Sequence, residues 1–252
     1  MYPDILAEDA YGFLLVFTRI GAVLMFIPAL GSKAIPARFR LTMALALSFI
    51  TFLIMQDRLP AMPTQYLQLG VIVVIEVTKG ILIAMVARFM LAALHVAGTI
   101  IGFQGGLAAA QQFDPNQGQQ GATLSAFFTF LGVMIIFIWN LHHVMIEAMI
   151  SSYILLPAAA PIVWADFAEV IANTLAGAFQ LGVQLASPFI VYALVYNISL
   201  GLVARLMPQL PVFFVGMPIN LFIGLFLLSL LVSAMMMWFA QYFEDQYTTI
   251  FL

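Results

Sequence analysis

The sequence contains no cysteine and very few charged residues. Without cysteine, the chain cannot form a disulfide, a thiolate metal site or a cysteine nucleophile. Only 8% of its 252 residues are charged and 64% are hydrophobic, whereas a soluble domain averages about 25% charged residues. So few charged side chains cannot cover a surface that faces water. The composition therefore predicts an all-α, polytopic membrane protein.

Other common signals are also missing from the sequence. The net charge of −3 offers no basic surface for nucleic acid. There is no nucleophile elbow, P-loop or dinucleotide fingerprint, so neither enzyme activity nor a cofactor is expected. The N-terminal segment MYPDILAEDAYG is acidic and lacks the positive start of a secretory signal. The first apolar run is therefore expected to remain as a membrane anchor.

Hydrophobic runs predict about six membrane helices. They lie at 10–30, 41–55, 67–101, 123–150, 173–206 and 212–240. A span needs about 20 apolar residues to cross a hydrocarbon core of ~30 Å, so the second run is short. The third and fifth runs are too long for an upright span, because about 34 helical residues reach roughly 50 Å. These helices must tilt, extend beyond the bilayer or bend, and Pro188 predicts a kink in the fifth run.

Positive charges in the connections predict an orientation. The first connection holds Lys33, Arg38 and Arg40, and the turn RLMPQLP holds Arg205, whereas Arg58 is alone between the second and third runs. Lys and Arg gather in cytoplasmic loops. With six crossings, this distribution places both termini outside the cytoplasm.

Charged residues also occur inside the hydrophobic runs. They are Arg19, Glu76, Lys79, Arg88 and Glu147. A charge at the bilayer centre costs about 2.5–3.5 kcal/mol on insertion scales, so each needs a partner or water. Glu76 and Lys79 share a helix face at i,i+3 and are expected to pair, while Arg88 needs a different partner. These charges either pair between helices and hold an assembly together or line an aqueous path.

Glycines are regularly spaced at the end of the third run. Gly98, Gly102 and Gly106 form a doubled G-x-x-x-G pattern. On a membrane helix this pattern makes a groove in which another backbone can approach closely. Plain helix packing is one interpretation and a hinge is the other.

Two neighbouring histidines follow in the fourth run. His142 and His143 point in different directions on a helix, whereas His143 and Glu147 are spaced i,i+4. Because no third ligand is evident, a hydrogen-bonded structural pair is expected rather than a metal site.

The stretch GFQGGLAAAQQFDPNQGQQ at 102–120 is polar and carries a single charge, that of Asp114. Its sequence Asp114-Pro115-Asn116 is a turn signal. Non-helical backbone is tolerated at membrane depth only where it is buried in protein or lines a water-filled cavity. From the residues alone, an ordinary surface loop and a pore-lining element both remain possible.

Four segments occur in a characteristic order along the chain. They are RIGAVLMFIPALGSKAIPARFRL at 19–41, the stretch at 102–120, NLHH at 140–143 and NISLGLVARLMPQLPVFFVGMPI at 197–219. Together they resemble the FliR family, the flagellar export-gate proteins of the bacterial type III secretion system. Pro211 and Asn220 depart from the family pattern, in which asparagine and lysine are common at these two places.

This resemblance implies a function, partners and an architecture. It implies a core subunit that helps to form and plug the channel through which unfolded flagellar proteins cross the inner membrane at the flagellar basal body. The implied partners are FliP-like and FliQ-like gate proteins in a hetero-oligomer, an FlhB-like switch protein, the exported chains and membrane lipid. The implied architecture is one domain over 1–252, with an N-terminal part at 1–160 and a C-terminal helical hairpin at 173–245. Helical hairpins of this kind lie partly outside the bilayer plane.

The resemblance also assigns residues to the pore plug and to a cytoplasmic turn. The implied plug residues are Gly102, Phe103, Gln104, Gly105, Gly106, Gln111, Gln112, Phe113, Asp114, Pro115, Gln117, Gly118, Gln119 and Gln120. The implied turn residues are Arg205, Pro208 and Gln209. The alternative is a secondary transporter for a small solute, in which the intramembrane charges would bind substrate or protons.

Overall fold

The computed structural model describes residues 2–28, 30–31, 35–106, 120–209 and 211–252, without the side chains of 2–6, 120–122 and 213. All regular elements in these ranges are helical, which confirms the predicted fold class. The α-helices are α1 (Tyr2–Phe26), α2 (Ala37–Met55), α3 (Tyr66–Gln104), α4 (Gln120–Ile138), α5 (Leu141–Leu155), α6 (Trp164–Leu206) and α7 (Val212–Phe251). A short 3-10 turn at Gln56–Arg58 follows α2.

The number of candidate membrane spans agrees with the sequence. Five helices are long and apolar enough to cross a membrane, and the pair α4 and α5 adds a sixth if it forms one span. Helices α3, α6 and α7 contain 39, 43 and 40 residues. At 1.5 Å per residue they are about 58 to 65 Å long, which is roughly twice the thickness of a hydrocarbon core. These helices must tilt strongly or extend beyond the bilayer.

The apolar run at 123–150 is not one helix, which corrects the prediction. Helix α4 ends at Ile138, α5 begins at Leu141, and their axes differ by 76°. Asn140 stands between them in the left-handed conformation, with φ 58° and ψ 19°. Asparagine tolerates this conformation better than most residues. The His143 N–H then donates to the Asn140 carbonyl at 2.9 Å and begins the new helix.

Helix α6 continues through Pro188, and the kink predicted there stays a prediction. The helix runs from Trp164 to Leu206 through the proline. A proline inside a helix has no N–H, so the carbonyl of Gln184 loses its usual donor. The Ser187 hydroxyl donates to that carbonyl at 2.7 Å and replaces the missing hydrogen bond.

The chain forms two compact units. The first comprises 1–89, 140–174 and 243–252, and the second comprises 90–139 and 175–242. Because α3, α6 and α7 are so long, each contributes residues to both units. The division into 1–160 and 173–245 implied by the resemblance stays a prediction.

Helices α6 and α7 leave most of their apolar surface uncovered. In the most apolar 18-residue window, only 11% of the residues of α6 and 17% of those of α7 are buried, against 50% in α1. Exposed side chains on α6 include Val191, Leu194, Val195, Ile198 and Leu202, which follow the i,i+3,i+4,i+7 spacing of one helix face. This face is available to lipid or to another protein.

Candidate functional site

Three of the intramembrane charges meet in the first unit. Arg19 lies on α1, and Glu76 and Lys79 lie on α3; each of the three side chains is at most 1% exposed. The Arg19 Nε and Nη2 atoms both lie 2.6 Å from the Glu76 Oε2 atom. Lys79 Nζ lies 3.1 Å from the other carboxylate oxygen, Oε1. The predicted pairing of Glu76 with Lys79 is therefore present, and Arg19 extends it to an ionic cluster of three residues.

The ionic cluster also holds the end of α5 and the connection that follows it. Arg19 Nη1 donates to the Ser152 carbonyl at 3.2 Å and to its hydroxyl at 3.4 Å. Lys79 Nζ donates to the Pro157 carbonyl at 2.8 Å, and the Ala159 N–H donates to Glu76 Oε1 at 3.0 Å. The connection after α5 thus accepts one hydrogen bond from the cluster and donates one hydrogen bond to it.

Close packing completes the surroundings of Arg19. Its guanidinium carbon lies 3.9 Å from the centre of the Tyr153 ring, within the range of a cation–π interaction. The Tyr153 hydroxyl donates to the Val16 carbonyl at 3.4 Å. A Cβ atom at Gly80 would lie only 2.5 Å from the Arg19 carbonyl oxygen, so a glycine is needed for α3 to approach α1 here. The buried cluster thus joins α1, α3 and α5.

The other two intramembrane charges lie apart from the cluster. Arg88 is exposed, and its guanidinium carbon lies 5.8 Å from the centre of the Phe26 ring. Glu147 is exposed on α5. The set of Arg19, Glu76, Lys79 and Arg88 that a solute transporter would use is therefore not assembled around one cavity. The three buried members instead contact one another and donate to or accept from backbone groups.

The histidines do not form the expected pair with Glu147. His143 and Glu147 are both exposed on α5, and no hydrogen bond joins them. The His142 and His143 rings lie 4.2 Å apart, centre to centre. Among the described residues, no group of three His, Asp or Glu side chains could hold a metal ion.

The polar stretch at 102–120 begins on the last turn of α3. Of the implied plug residues, those from Gly102 to Gly106 are described, and Gln120 is the first residue of α4. The remaining eight lie outside the described residues: Gln111, Gln112, Phe113, Asp114, Pro115, Gln117, Gly118 and Gln119. The structure therefore describes only the two ends of this stretch, and the plug assignment stays a prediction.

The glycines near the end of α3 permit close backbone contact. A Cβ atom at Gly98 would lie 2.6 Å from the Ser125 Cα atom of α4. A Cβ atom at Gly224 of α7 would lie 3.0 Å from the Gly105 Cα atom. Gly102 is also buried. Gly98 of the predicted pattern and the neighbouring Gly105 thus serve helix packing, and the hinge interpretation stays a prediction.

Asn220 of α7 connects the end of α3 to α6. The Tyr192 hydroxyl donates to the Asn220 Oδ1 atom at 2.8 Å, and Asn220 Nδ2 donates to the Gln104 carbonyl at 3.5 Å. Gly106 has φ +78°, and a Cβ atom there would lie 2.7 Å from Asn220 Nδ2. A cavity of about 220 Å³ opens beside these residues and is also lined by Phe103 and Tyr196.

Sequence reasoning did not find this connection. It noted Asn220 only as a departure from a pattern, and it did not consider Tyr192 or Tyr196. The available signal was two tyrosines spaced i,i+4 inside an apolar helix, because a tyrosine hydroxyl in an apolar helix usually finds a hydrogen-bond partner. The partner's position in α7 could not be read from that spacing.

The turn between α6 and α7 lies where the sequence predicts it. Helix α6 ends at Leu206 and α7 begins at Val212, and Arg205, Pro208 and Gln209 are all exposed. The cytoplasmic location of the turn stays a prediction.

Comparison with known proteins identifies similar chains over almost the whole length. The family described as bacterial export proteins, family 1, matches residues 10–246. The flagellar biosynthetic protein FliR of Caulobacter vibrioides is 38% identical over 94% of this chain and 95% of its own length. The protein of the same name from Bacillus subtilis is 31% identical, over 88% and 86% respectively. That from Escherichia coli is 30% identical, over 92% and 87%.

Proposed function

Because the chain belongs to the FliR family of bacterial export proteins, and is thus a membrane-embedded component of the flagellar export apparatus, we propose that it helps to form and to plug the protein-export channel. The channel would lie in the inner membrane at the flagellar basal body and conduct unfolded flagellar proteins. The proposed partners are FliP-like and FliQ-like gate proteins and an FlhB-like switch protein.

The exposed apolar surface of α6 and α7 carries this proposal. Few residues of their apolar windows are buried within the chain, yet both helices are apolar over most of their length. Because each is roughly twice as long as a bilayer core is thick, lipid can cover only part of this surface unless the helices tilt steeply. The remainder needs apolar neighbours of another kind. A ring of small hydrophobic subunits would supply them.

The plug assignment rests on the chemistry of 102–120. Amide and glycine groups form weak hydrogen bonds that exchange readily with water. A segment of this kind can close a pore without binding the exported chains tightly. The support from the structure is that the segment starts from a fixed base, where Gly105 packs on Gly224 of α7.

Deletion of residues 108–118 tests the plug. We expect the complex with the partner proteins to assemble at near-normal yield and its resting membrane conductance to rise. Phe113→Ala should give a smaller rise, because Phe113 is the best candidate for an apolar seal. Phe130→Ala, which changes an exposed phenylalanine on α4, is the matched control and should stay tight. An intact deletion complex with wild-type conductance would contradict the plug assignment, and loss of assembly would indicate a packing role instead.

The proposed orientation places the N-terminus in the periplasm. Its support is the excess of Lys and Arg in the connection after α1 and in the turn after α6. The natural absence of cysteine allows a direct test with single cysteines at Glu8 and Arg205, two exposed positions. A membrane-impermeant maleimide added to spheroplasts should label the cysteine at position 8 and not that at 205. The opposite labelling would reverse the orientation.

A further inference from the structure

The end of α3 has a backbone carbonyl that needs a partner from outside the helix. The last four carbonyls of any α-helix lack donors from a following turn. At the end of α3, the Gly105 N–H donates to the Ile101 carbonyl at 2.8 Å. The Gln104 carbonyl receives the Asn220 side-chain N–H at 3.5 Å. This bond is long, but it comes from a side chain whose position is fixed by two further contacts.

The first of these contacts is with Tyr192. Its hydroxyl donates to Asn220 Oδ1 at 2.8 Å, so the carbonyl side of the amide is held toward α6. The amide is planar, and its NH₂ group is therefore directed to the other side, where the end of α3 lies. One asparagine side chain thus links α3, α6 and α7.

The second contact is with the two glycines that follow α3. Gly106 adopts φ +78°, a conformation that favours glycine, and any Cβ there would press on Asn220 Nδ2. One turn along α7, Gly224 lies directly against Gly105. Asn220 and Gly224 are spaced i,i+4 and share a face of α7. On this face, the Asn220 amide and the backbone of Gly224 therefore lie against the place where the polar stretch leaves α3.

From this geometry we infer that Asn220 is a positioning residue, which caps α3 and fixes the direction in which the chain leaves it at Gly106. The functional effect of this cap rests on the proposed function, in which the cap holds the base of the plug in the closed channel. Loss of the cap frays the last turn of α3 and loosens the plug. The helix packing at Gly98 remains, so assembly continues.

The test compares Asn220→Leu, Tyr192→Phe and Tyr196→Phe in the assembled complex. Leucine has nearly the shape of asparagine but neither donates nor accepts a hydrogen bond. Tyr192→Phe removes the hydroxyl that orients the amide. Tyr196→Phe is the matched control: it removes a hydroxyl one turn further along α6, which bonds the Gly216 carbonyl and not Asn220.

The first measurement is hydrogen–deuterium exchange of the peptide covering 101–106. In Asn220→Leu, exchange should be about fivefold faster, the usual effect of losing one hydrogen bond. Tyr192→Phe should show a smaller increase in the same peptide, and Tyr196→Phe none. Exchange that is unchanged in both Asn220→Leu and Tyr192→Phe would overturn the cap. If Asn220→Leu does not assemble, Tyr192→Phe alone decides.

The second measurement is resting conductance, combined with deletion of 108–118. Asn220→Leu should leak in the otherwise complete chain and add nothing when the deletion is also present. If the deletion leaks and Asn220→Leu does not, the positioning role is overturned while the proposed function stands. If the deletion itself stays tight, the proposed function and the positioning role both fail. Faster exchange in Asn220→Leu would then show a cap that is structural only.

Discussion

Glu76 is the residue on which both buried cations depend. Its two carboxylate oxygens are divided between them, with Oε2 bound by Arg19 and Oε1 by Lys79. A buried ion pair contributes little net stability, but removing one partner leaves an uncompensated charge and costs about 3–5 kcal/mol. The three positions of the cluster are therefore unequal. Loss of Glu76 leaves two buried positive charges without a counter-charge, whereas loss of either cation leaves one oppositely charged pair.

Substitution within the ionic cluster should show this inequality. Glu76→Gln is expected to destabilise the complex by about 3–5 kcal/mol. Lys79→Met should cost less, because the pair of Arg19 with Glu76 remains. The double variant, Glu76→Gln with Lys79→Met, should be destabilised by an amount between those of the two single variants, since Arg19 still lacks its carboxylate partner.

Thermal unfolding of the purified complex, together with its yield, measures these differences. Arg88→Met is the matched control, because it removes an exposed cation from the same helix. Equal losses for Glu76→Gln and Lys79→Met would show that the cluster does not act as described.

The part played by Arg19 could not be predicted from the sequence. The spacing of Glu76 and Lys79 within one helix is a local pattern, and it predicted their contact. Arg19 lies 57 positions before Glu76, so their contact depends on the register between α1 and α3. That register is set where Gly80 allows the two backbones to approach. A single glycine in an apolar run is not enough to predict such a contact.

At the scale of the elements, apolar runs predicted where helices exist better than where they end. The run at 67–101 became α3, and the runs at 173–206 and 212–240 became α6 and α7 with extra turns. The prediction of one helix at 123–150 was wrong, because one left-handed residue, Asn140, divides the run without altering its hydrophobicity. Pro188 does not end α6, and the Ser187 hydroxyl donates to the Gln184 carbonyl that lacks the proline's N–H. Hydrophobicity reports burial in lipid or protein, whereas helix ends depend on single backbone angles and hydrogen bonds.

At the scale of the whole molecule, the buried charges pair within the chain, whereas much of the apolar surface of its helices is exposed. Buried charges are paired in the first unit, and the close glycine contacts of the second unit are formed within the chain. Outside, large apolar side chains are exposed along nearly all of α6, from Phe179 to Leu206. The plug assignment could not be reached from composition, because a polar loop and a pore lining share the same residue types. Only the ordered motifs and the comparisons connect this chain to export.

The exposed apolar surface of α6 and α7 leads to a prediction about the isolated protein. Expressed alone, the chain should aggregate or be degraded, because α6 and α7 present more apolar length than a bilayer covers. Co-expression with FliP-like and FliQ-like proteins should restore a defined complex. Size-exclusion chromatography in mild detergent measures both outcomes, and reconstitution of the chain alone in lipid nanodiscs is the control. Lipid by itself should not rescue the chain, since it cannot cover the excess length. A thermally stable, monodisperse monomer in nanodiscs would show that the exposed faces of α6 and α7 need only lipid, and the argument for partner subunits would be lost.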